Sequence, residues 1–380
     1  MGDHRQIYFN CTKRVVVKVG SNVLTQDNGL NLKAIRSISG QICRLIDKGL
    51  QVILVSSGAM ASGVKKIGLS KRPDEIPSRQ AAAAVGQAGL ILEYEKSFSR
   101  YKKKVAQILL TSDDLSNRKR YLNARNTLYT LLSWGVVPVI NENDTVMVEE
   151  IKFGDNDHLS AMITLLMDAD ILINLTDIEG LYTKDPRTYP DAALIPVVST
   201  IKKSIEEYAS DIPGALGKGG MLSKIKAARK LNSAGVPMVI AKGDKPGILL
   251  KLFSGKDHGT FFVPKEKKLA SRKCWIAFNL KPKGTVIIDP GAQAAILKRG
   301  KSLLPSGIVD VKSEFDVGAP VEFKSIDNET LGIGLVNYKS SDVRKIMGKK
   351  SGQIKMLLGQ KTYDEVMHRD NLAITYENLE

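Results

Sequence analysis

Residues Pro138–Arg187 read PVINENDTVMVEEIKFGDNDHLSAMITLLMDADILINLTDIEGLYTKDPR, and they contain the pattern that decides the fold. The stretch begins as an apolar strand that ends in the polar cluster Asn141–Asp144. A second polar cluster, Gly154–Asp157, precedes a helix with apolar residues at i, i+3, i+4 and i+7, namely Leu159, Met162, Ile163 and Leu166. The apolar strand Ile171–Leu175 follows and ends in Thr176-Asp177. These elements predict a βαβ unit, and open α/β sheets bind ligands at the carboxyl ends of such strands.

The order of strand, polar turn and helix is repeated ahead of this unit. Strands are predicted at Arg14–Val19, Gln51–Val55 and Val105–Leu110, and helices at Leu32–Lys48, Gln80–Tyr94 and Tyr121–Trp134. Strands that alternate with helices through short connections are typical of a parallel sheet with helices on both faces. The predicted fold class is therefore α/β, with an open, mostly parallel sheet sandwiched by helices.

A single lysine interrupts the first predicted strand. Lys18 lies in the apolar run Val15–Val19, directly before a Gly20-Ser21 turn. Burying a lone lysine is costly unless an anion neutralises it, so we favour a phosphate ligand near Lys18 over an outward-pointing side chain at the sheet edge. The turn Ser56–Ala59 after the second strand consists of small residues, which let a ligand approach backbone N–H groups.

A glycine-rich basic loop, Gly214–Lys224, leads into a predicted helix at Met221–Ala234 and a strand at Val236–Ala241. Backbone N–H groups and the dipole at such a helix start favour an anion such as phosphate. Lys224 lies in the first turn, where a cation opposes the helix dipole unless an anion sits opposite it. The P-loop pattern GxxxxGK[ST] does not occur in the chain.

Composition and cysteine usage exclude several classes of protein. Of the 380 residues, 43% are hydrophobic and 25% are charged, as in ordinary globular proteins of two or three domains. No apolar run approaches the ~18 residues of a membrane-spanning helix, and the N-terminus has no apolar signal-peptide segment. Cys11, Cys43 and Cys274 show neither disulfide nor metal-ligand spacing, which suits a reducing compartment. We therefore expect a cytoplasmic protein without a membrane segment, a disulfide framework or a metal site built from cysteines.

The net charge of +16 is unevenly distributed. Residues 201–280 contain 16 Lys and Arg against 6 Asp and Glu, whereas residues 281–380 contain 15 against 13. This concentration favours an anionic ligand held by the middle of the chain, and a solvated basic face is the alternative.

The pattern changes towards the C-terminus. An apolar stretch ends at Phe261–Pro264, and the charged segment KEKKLASRK follows. From Gly284 to Lys324 the helical period is lost, and short strands and turns with recurring glycines, including TVIID and PGAQAAI, predict a small β-rich module. The last forty residues become helical again. We predict a first domain at residues 12–263, a linker at 264–281, a β-rich domain at 282–360 and a tail at 361–380.

Motifs across nearly the whole chain resemble those of the amino acid kinase family. In chain order they are VVKVGSNVL, VSSGAMASG, QAAAAVGQ, YLNARNTL, PVINENDTV, IKFGDNDHLSA, LTDIEGLYTKDPR and GKGGMLSKIKAA. The segment DPGAQAAILKRGKSLLPSGI resembles a PUA domain, and HRDNL is similar to the tail found in one branch of the family. That branch phosphorylates the γ-carboxylate of L-glutamate. Each motif alone is weakly specific, whereas the ordered set is highly specific.

The resemblance implies ATP-dependent phosphorylation of L-glutamate, the first step of proline biosynthesis, with ATP and Mg²⁺ as cofactors. It implies that Lys18 and Lys224 flank the transferred phosphoryl group and that Asp157 orients both lysines. Glutamate would be held by Ser57, Asp144 and Asn156. ATP would be held by Lys18, Thr176, Asp177, Lys218, Gly219, Gly220, Met221, Leu222, Ser223 and Lys224. The family often has Thr where Lys218 stands, so we expect the backbone cradle to persist while nucleotide affinity or preference differs.

The resemblance also implies partners. A separate glutamyl-phosphate reductase is expected because the chain is too short to contain a dehydrogenase domain as well. Proline is a candidate feedback inhibitor, and a homo-oligomer is expected. Within the family, N-acetylglutamate, aspartate, carbamate and UMP are alternative substrates. An RNA-binding PUA protein is a further alternative, but the near-neutral C-terminal region lacks the positive charge that binding to a phosphate backbone needs.

Overall fold

The computed structural model describes residues 3–26, 29–146, 156–210, 220–265 and 271–375. The chain divides into two compact units, residues 1–268 and 269–380, each with its own sheet and hydrophobic core. Within the described ranges, every helix is too short or too polar to cross a membrane.

The strands of the first unit are β1 (Arg14–Val19), β2 (Thr25–Gln26), β3 (Gly29–Leu30), β4 (Gln51–Ser56), β5 (Lys104–Leu110), β6 (Val136–Glu142), β7 (Ile171–Thr176), β8 (Val197–Val198), β9 (Met238–Lys242) and β10 (Thr260–Phe262). Eight of them form one sheet in the order β5-β6-β4-β1-β7-β9-β10-β8, and β2 pairs separately with β3. Neighbouring strands of the large sheet run parallel, except that β10 is antiparallel to β9. The predicted open, mostly parallel sheet is confirmed.

The helices of this unit are α1 (Asp3–Cys11), α2 (Ser21–Leu24), α3 (Leu32–Asp47), α4 (Ala59–Ile67), α5 (Ile76–Ser99), α6 (Ser112–Ser116), α7 (Arg118–Ser133), α8 (Asn156–Leu166), α9 (Lys203–Ser210), α10 (Met221–Ser233) and α11 (Ile248–Phe253). A 3₁₀ turn covers Asp144–Val146. Helix α5 extends beyond the predicted Gln80–Tyr94 at both ends, because Pro77 fits the first helical turn, where no backbone N–H is needed.

The central strands are apolar because both faces of the sheet are covered. All six residues of β7 are buried, and in β1 only Arg14 is partly exposed. Alternate side chains of the two strands join one core with apolar residues of α3, α5 and α11, namely Val15, Val17, Val19, Ile171, Ile173 and Leu175. Continuous apolar runs are the expected signature of a parallel sheet packed on both faces.

This topology places several polar strand ends side by side. Strand β1 lies between β4 and β7, with Val19 in register with Ser56 on one side and with Leu175 on the other. Strand β6 lies next to β4 and ends at Glu142. The polar residues that follow these strands therefore meet along one edge of the sheet, which is where open α/β sheets bind ligands.

The second unit contains α12 (Ser271–Asn279), β11 (Gly284–Ile288), α13 (Pro290–Arg299), β12 (Ile308–Lys312), β13 (Pro320–Lys324), β14 (Thr330–Leu335), α14 (Ser340–Ile346), α15 (Ile354–Leu358) and β15 (Leu372–Ile374). Its sheet has the order β12-β11-β13-β14-β15. The β-rich character predicted for this region and the helical segments near its end are both observed.

Three details differ from the sequence-based expectations. The expected linker 264–281 contains α12, because Trp275 and Ile276 are buried there despite the surrounding lysines. The expected tail 361–380 contains β15, which pairs with β14. The segment PGAQAAI, which we read as strand and turn, begins α13 instead, because Asp289 caps the helix by accepting from Ala292 N at 2.7 Å.

Candidate active site

A buried carboxylate lies at the centre of the polar strand ends. Asp157 is in the first turn of α8 and is fully buried. Lys18 Nζ of β1 donates to its Oδ1 at 2.5 Å, and Lys224 Nζ of α10 donates to its Oδ2 at 3.0 Å. Both lysines are themselves buried. Three residues that are distant in sequence, and that the motifs had singled out, are thus in direct contact.

Two neutral side chains also donate to this carboxylate. Asn174 Nδ2 of β7 donates to Asp157 Oδ1 at 2.7 Å, and Ser223 Oγ donates to Oδ2 at 2.6 Å. Burial by itself raises the pKa of Asp157, but the charges of Lys18 and Lys224 and the hydrogen bonds from Lys18 and Ser223 hold that pKa well below its usual range. The carboxylate is therefore ionised at neutral pH.

This cluster contains more positive than negative charge. Two ammonium groups share the single carboxylate of Asp157, and all three groups are shielded from solvent. Buried charge without full compensation is costly, so an anion placed beside the lysines would lower the free energy of the site. The predicted phosphate-binding role of Lys18 fits this geometry, whereas the alternative of an outward-pointing lysine at the sheet edge is wrong.

Asn156 connects the ends of β4 and β6 through hydrogen bonds. Asn156 Nδ2 lies 2.9 Å from Ser57 Oγ, 2.9 Å from the Ser56 carbonyl and 3.0 Å from Asn141 Oδ1. In the described part of the chain, Asn156 Oδ1 is buried and has no hydrogen-bond partner. The arrangement brings together two of the three residues predicted to hold glutamate, and it leaves a buried acceptor for a ligand that carries a donor, such as an ammonium group.

Asp144 lies in the 3₁₀ turn after β6 and is partly exposed. Burial raises the pKa of its carboxyl group, and the positive charge of Arg72 opposes that effect. Among the described residues, no hydrogen bond joins it directly to Ser57 or Asn156. The structure therefore places Asp144, the third predicted glutamate ligand, just after β6. It does not bring Asp144 into hydrogen-bond contact with Ser57 or Asn156.

Thr176 and Asp177, which are predicted to hold ATP, lie beside the lysine cluster. Thr176 Oγ1 donates to Asp177 Oδ1 at 3.0 Å, and Asn22 Nδ2 donates to Asp177 Oδ2 at 2.9 Å. Burial raises the pKa of Asp177, but these two hydrogen bonds, with a smaller effect of the Lys224 charge, lower it overall. Asp177 is thus an ionised acceptor held in place from β7 and from α2.

Glycines are the N-cap residues of three helices that begin at this edge. Gly20, Gly58 and Gly220 are the N-caps of α2, α4 and α10, and none of the three helices has a side-chain cap. A Cβ atom on Gly20 would lie 3.3 Å from the Leu175 carbonyl oxygen and 3.8 Å from Lys18 Nζ. The uncapped N–H groups are donors suited to phosphate oxygens.

The remaining residues of the predicted nucleotide loop are only partly described. Met221 is buried, while Leu222 and Ser223 are partly exposed on the first turn of α10. Lys218 and Gly219 lie outside the described residues. Gly154 and Asp155 of the sequence cluster Gly154–Asp157 lie outside them as well.

Sequence reasoning missed three asparagines that the structure places in these clusters, namely Asn22, Asn141 and Asn174. Asn174 had the clearest signal, because it is the one polar residue inside the run Ile171–Leu175. Asn141 was noticed only as a member of a polar cluster, and Asn22 carried no signal of its own. The assembled features define an α/β protein with two buried lysines paired to one buried aspartate at the carboxyl edge of its sheet.

Comparison with known proteins specifies this class. The model of the amino acid kinase family matches residues 13–242, and the model of the PUA domain matches residues 284–358. The chain belongs to the amino acid kinase family, and its second unit contains a PUA domain. The resemblance drawn from the motifs is thereby confirmed.

The chain is also similar to curated relatives over nearly its full length. It is 49% identical over 374 residues to "Glutamate 5-kinase" of Syntrophus aciditrophicus, which covers 98% of this chain and 97% of the relative. It is 50% identical over 363 residues to "Glutamate 5-kinase" of Geobacter sulfurreducens, which covers 95% of this chain and 97% of the relative. The solved UMP kinase from Bacillus anthracis aligns with 68% of this chain and 99% of its own, with a TM-score of 0.47 and 17% identity.

Proposed function

We propose that this chain catalyses ATP-dependent phosphorylation of the γ-carboxylate of L-glutamate, giving L-glutamyl 5-phosphate and ADP. The observation that carries the proposal is the buried contact of Lys18 and Lys224 with opposite oxygens of Asp157. Full-length relatives named glutamate 5-kinase at about 50% identity support the choice of substrate.

The chemistry follows from the charges involved. A γ-carboxylate oxygen attacks the γ-phosphorus of ATP, the bond from that phosphorus to the β–γ bridging oxygen breaks, and its electron pair stays on ADP. No proton needs to move, so a general base is unnecessary. The protein must align the two anionic substrates and neutralise charge on the transferred group, which is the usual demand of phosphoryl transfer.

Each predicted residue has a role in this scheme. Lys18 and Lys224 donate to oxygens of the transferred phosphoryl group, and Asp157 sets the positions of both ammonium groups. Ser57, Asn156 and Asp144 hold the amino acid, with the orphaned Asn156 Oδ1 as an acceptor for its ammonium group. Thr176, Asp177 and the loop from Lys218 to Lys224 hold ATP.

The donor set suits a metal that arrives with the nucleotide. Among the described residues, no group of three or more His, Cys, Asp or Glu side chains is arranged to hold an ion. Mg²⁺ usually binds through substrate phosphates and only one or two carboxylates, and Asp177 is an ionised candidate here. When bound, Mg²⁺ would neutralise phosphate charge and orient the phosphates.

The wider context of the reaction is also part of the proposal. The kinase domain predicted at residues 12–263 would contain both substrate sites, and a separate reductase would consume the acyl phosphate in the cytoplasm as the next step towards proline. Proline would act as a feedback inhibitor. A homo-oligomer is supported by the exposed apolar side chains of Val85 and Leu92 on α5. Light scattering of the purified protein tests the last point.

Trapping the product with hydroxylamine tests the proposed function. Hydroxylamine converts acyl phosphates to hydroxamates, so L-glutamate, N-acetylglutamate and aspartate are compared with and without ATP. We expect ATP-dependent hydroxamate with L-glutamate only. Product with N-acetylglutamate or aspartate instead would move the chain to another branch of the family, and no product with any of them would overturn the kinase proposal.

A further inference from the structure

The side chains around Asp157 fall into two kinds. Lys18 and Lys224 carry their donors on long stems with four rotatable carbon–carbon bonds, so their ammonium groups can move to another acceptor. Asn174 and Ser223 carry theirs on short side chains. Each oxygen of the carboxylate is contacted by one side chain of each kind: Oδ1 by Lys18 and Asn174, and Oδ2 by Lys224 and Ser223.

Asn174 is unusual for its location. It lies inside β7, is fully buried, and is in register with Lys18 on the neighbouring strand. The other residues of that strand before Thr176 are apolar. A buried amide in such a strand is costly unless its polar atoms are satisfied.

The amide of Asn174 is committed to Asp157. Its nitrogen donates to the carboxylate at 2.7 Å, while its oxygen is buried and has no hydrogen-bond partner among the described residues. The unsatisfied buried oxygen lowers the stability of the folded state. The hydrogen bond to Asp157 is therefore the favourable polar contact that this side chain makes.

We propose that Asn174 is a positioning residue for phosphoryl transfer, whose amide holds Asp157 Oδ1 in place when Lys18 turns its ammonium group to the transferred phosphoryl group. This inference rests on the proposed function. In the structure Lys18 is bound to Asp157 at 2.5 Å. To act on a phosphoryl group it must share or release that contact. Asn174 continues to donate to that carboxylate oxygen when Lys18 moves.

The consequence is specific to the chemical step. Without Asn174, Oδ1 of a buried carboxylate would lose one of its donors, and Asp157 would retain the ammonium group of Lys18 more strongly. Hydrogen bonds to charged groups are worth roughly 1.5–3 kcal/mol, which corresponds to about 10-fold or more in rate. Because Asn174 contacts neither substrate in this scheme, the Michaelis constants for ATP and glutamate would not change.

Asn174→Leu tests the proposal, since leucine is close in size and suits the apolar strand. We expect kcat for glutamyl hydroxamate formation to fall about 10-fold, with both KM values within about two-fold of the wild type. Thr164→Val is the matched control, because it removes another buried hydrogen bond of α8, from Thr164 Oγ1 to the Ser160 carbonyl, and leaves the Asp157 contacts intact. It should retain the wild-type kcat.

A double variant separates positioning from general structural damage. In an Asp157→Asn background, Asn174→Leu should lower kcat by less than about two-fold, because the carboxylate that Asn174 holds is absent. Circular dichroism shows whether Asn174→Leu is folded. If it is not, Asn174→Ala takes its place, and the same changes in kcat and KM are expected. A wild-type kcat in the single variant, or an equal loss in both backgrounds, would overturn the inference. An inactive wild-type protein would instead overturn the proposed function.

Discussion

Lys18 and Lys224 come from a central strand and from the first turn of a helix, 206 residues apart in the chain, yet their ammonium groups bind opposite oxygens of one buried carboxylate. Each lysine donates to its own oxygen of one carboxylate, an arrangement that suits two donors that must contact different oxygens of one phosphoryl group.

Removing either lysine should slow the chemical step more than it weakens substrate binding. We expect Lys18→Ala or Lys224→Ala to lower kcat by a factor on the order of 10²–10³, as for loss of one preorganised transition-state donor. Steady-state kinetics measure this, with Lys226→Ala, an exposed neighbour on α10, as the control. Near-wild-type turnover in either variant would exclude that lysine from catalysis.

Asp144 should act on substrate affinity. Asp144 lies in the turn after β6, and the proposed function assigns it to glutamate binding, so Asp144→Ala should remove binding that is equal in the ground and transition states. We expect the KM for glutamate to rise while kcat changes little. Asp113→Ala, which alters an acidic side chain of α6, serves as the comparison. An unchanged KM would contradict the assignment.

The buried charges of Lys18, Lys224 and Asp157 should be compatible with a stable fold only when all three are present. Asp157→Asn leaves two buried ammonium groups without their counter-charge, and we expect the free energy of unfolding to fall by ~3–5 kcal/mol at pH 7. Replacing Lys18 and Lys224 with methionine in a variant that also has Asp157→Leu should recover most of the loss. Urea unfolding measures both, and equal instability of the two variants would refute this account.

The pH dependence of the same cluster has a definite sign. The pKa of Asp157 is lowered on folding, so its contribution to stability is present above the unfolded carboxyl pKa of about 3.9 and is lost as the pH falls towards the folded value. The stability difference between the wild type and Asp157→Asn should therefore be constant from pH 7 to 5 and shrink only below that range. A difference that disappears already near pH 6 would show that Asp157 is not strongly ionised.

Lys230, a partly buried lysine of α10, should reduce stability. Burial lowers the pKa of Lys230 to about 8, and its Nζ lies 3.0 Å from His158 Nδ1. Below pH 8 its buried charge costs stability, and this cost is relieved as the pH rises from the folded value of about 8 towards the unfolded value of about 10.4. We expect Lys230→Met to raise Tm at pH 7, with the gain shrinking above pH 8. Lys226→Met should show no such gain, and a lower Tm for Lys230→Met would contradict the prediction.

Local patterns and ordered motifs were sufficient to predict most of the first unit. The apolar run around Lys18 and the helix after Asp157 indicated the strands and helices, and the motifs identified both lysines as partners of Asp157. The pairing of Asn174 with Asp157 depends on β7 lying next to β1, a non-local fact that no sequence period reports. The hydrogen bond that Asn141 Oδ1 accepts from Asn156 could not be predicted for the same reason, since it requires β6 to lie beside β4.

The second unit was harder to predict because its elements are short. Helix α13 was misread because its alanines and glycine have little amphipathic pattern, although Asp289-Pro290 is a helix-start signal. Strand β15 has only three residues and is stabilised by its pairing with β14, which local propensity does not show.

The central claim is that a γ-carboxylate oxygen of glutamate attacks the γ-phosphorus of ATP directly. Glutamate labelled with ¹⁸O in the γ-carboxylate, incubated with ATP, Mg²⁺ and hydroxylamine, tests it by mass spectrometry of the released phosphate. Hydroxylamine attacks the acyl carbon, so the bridging oxygen leaves with the phosphate. We predict one ¹⁸O atom in each phosphate released with the hydroxamate. Phosphate without ¹⁸O would show transfer to water and would contradict the account.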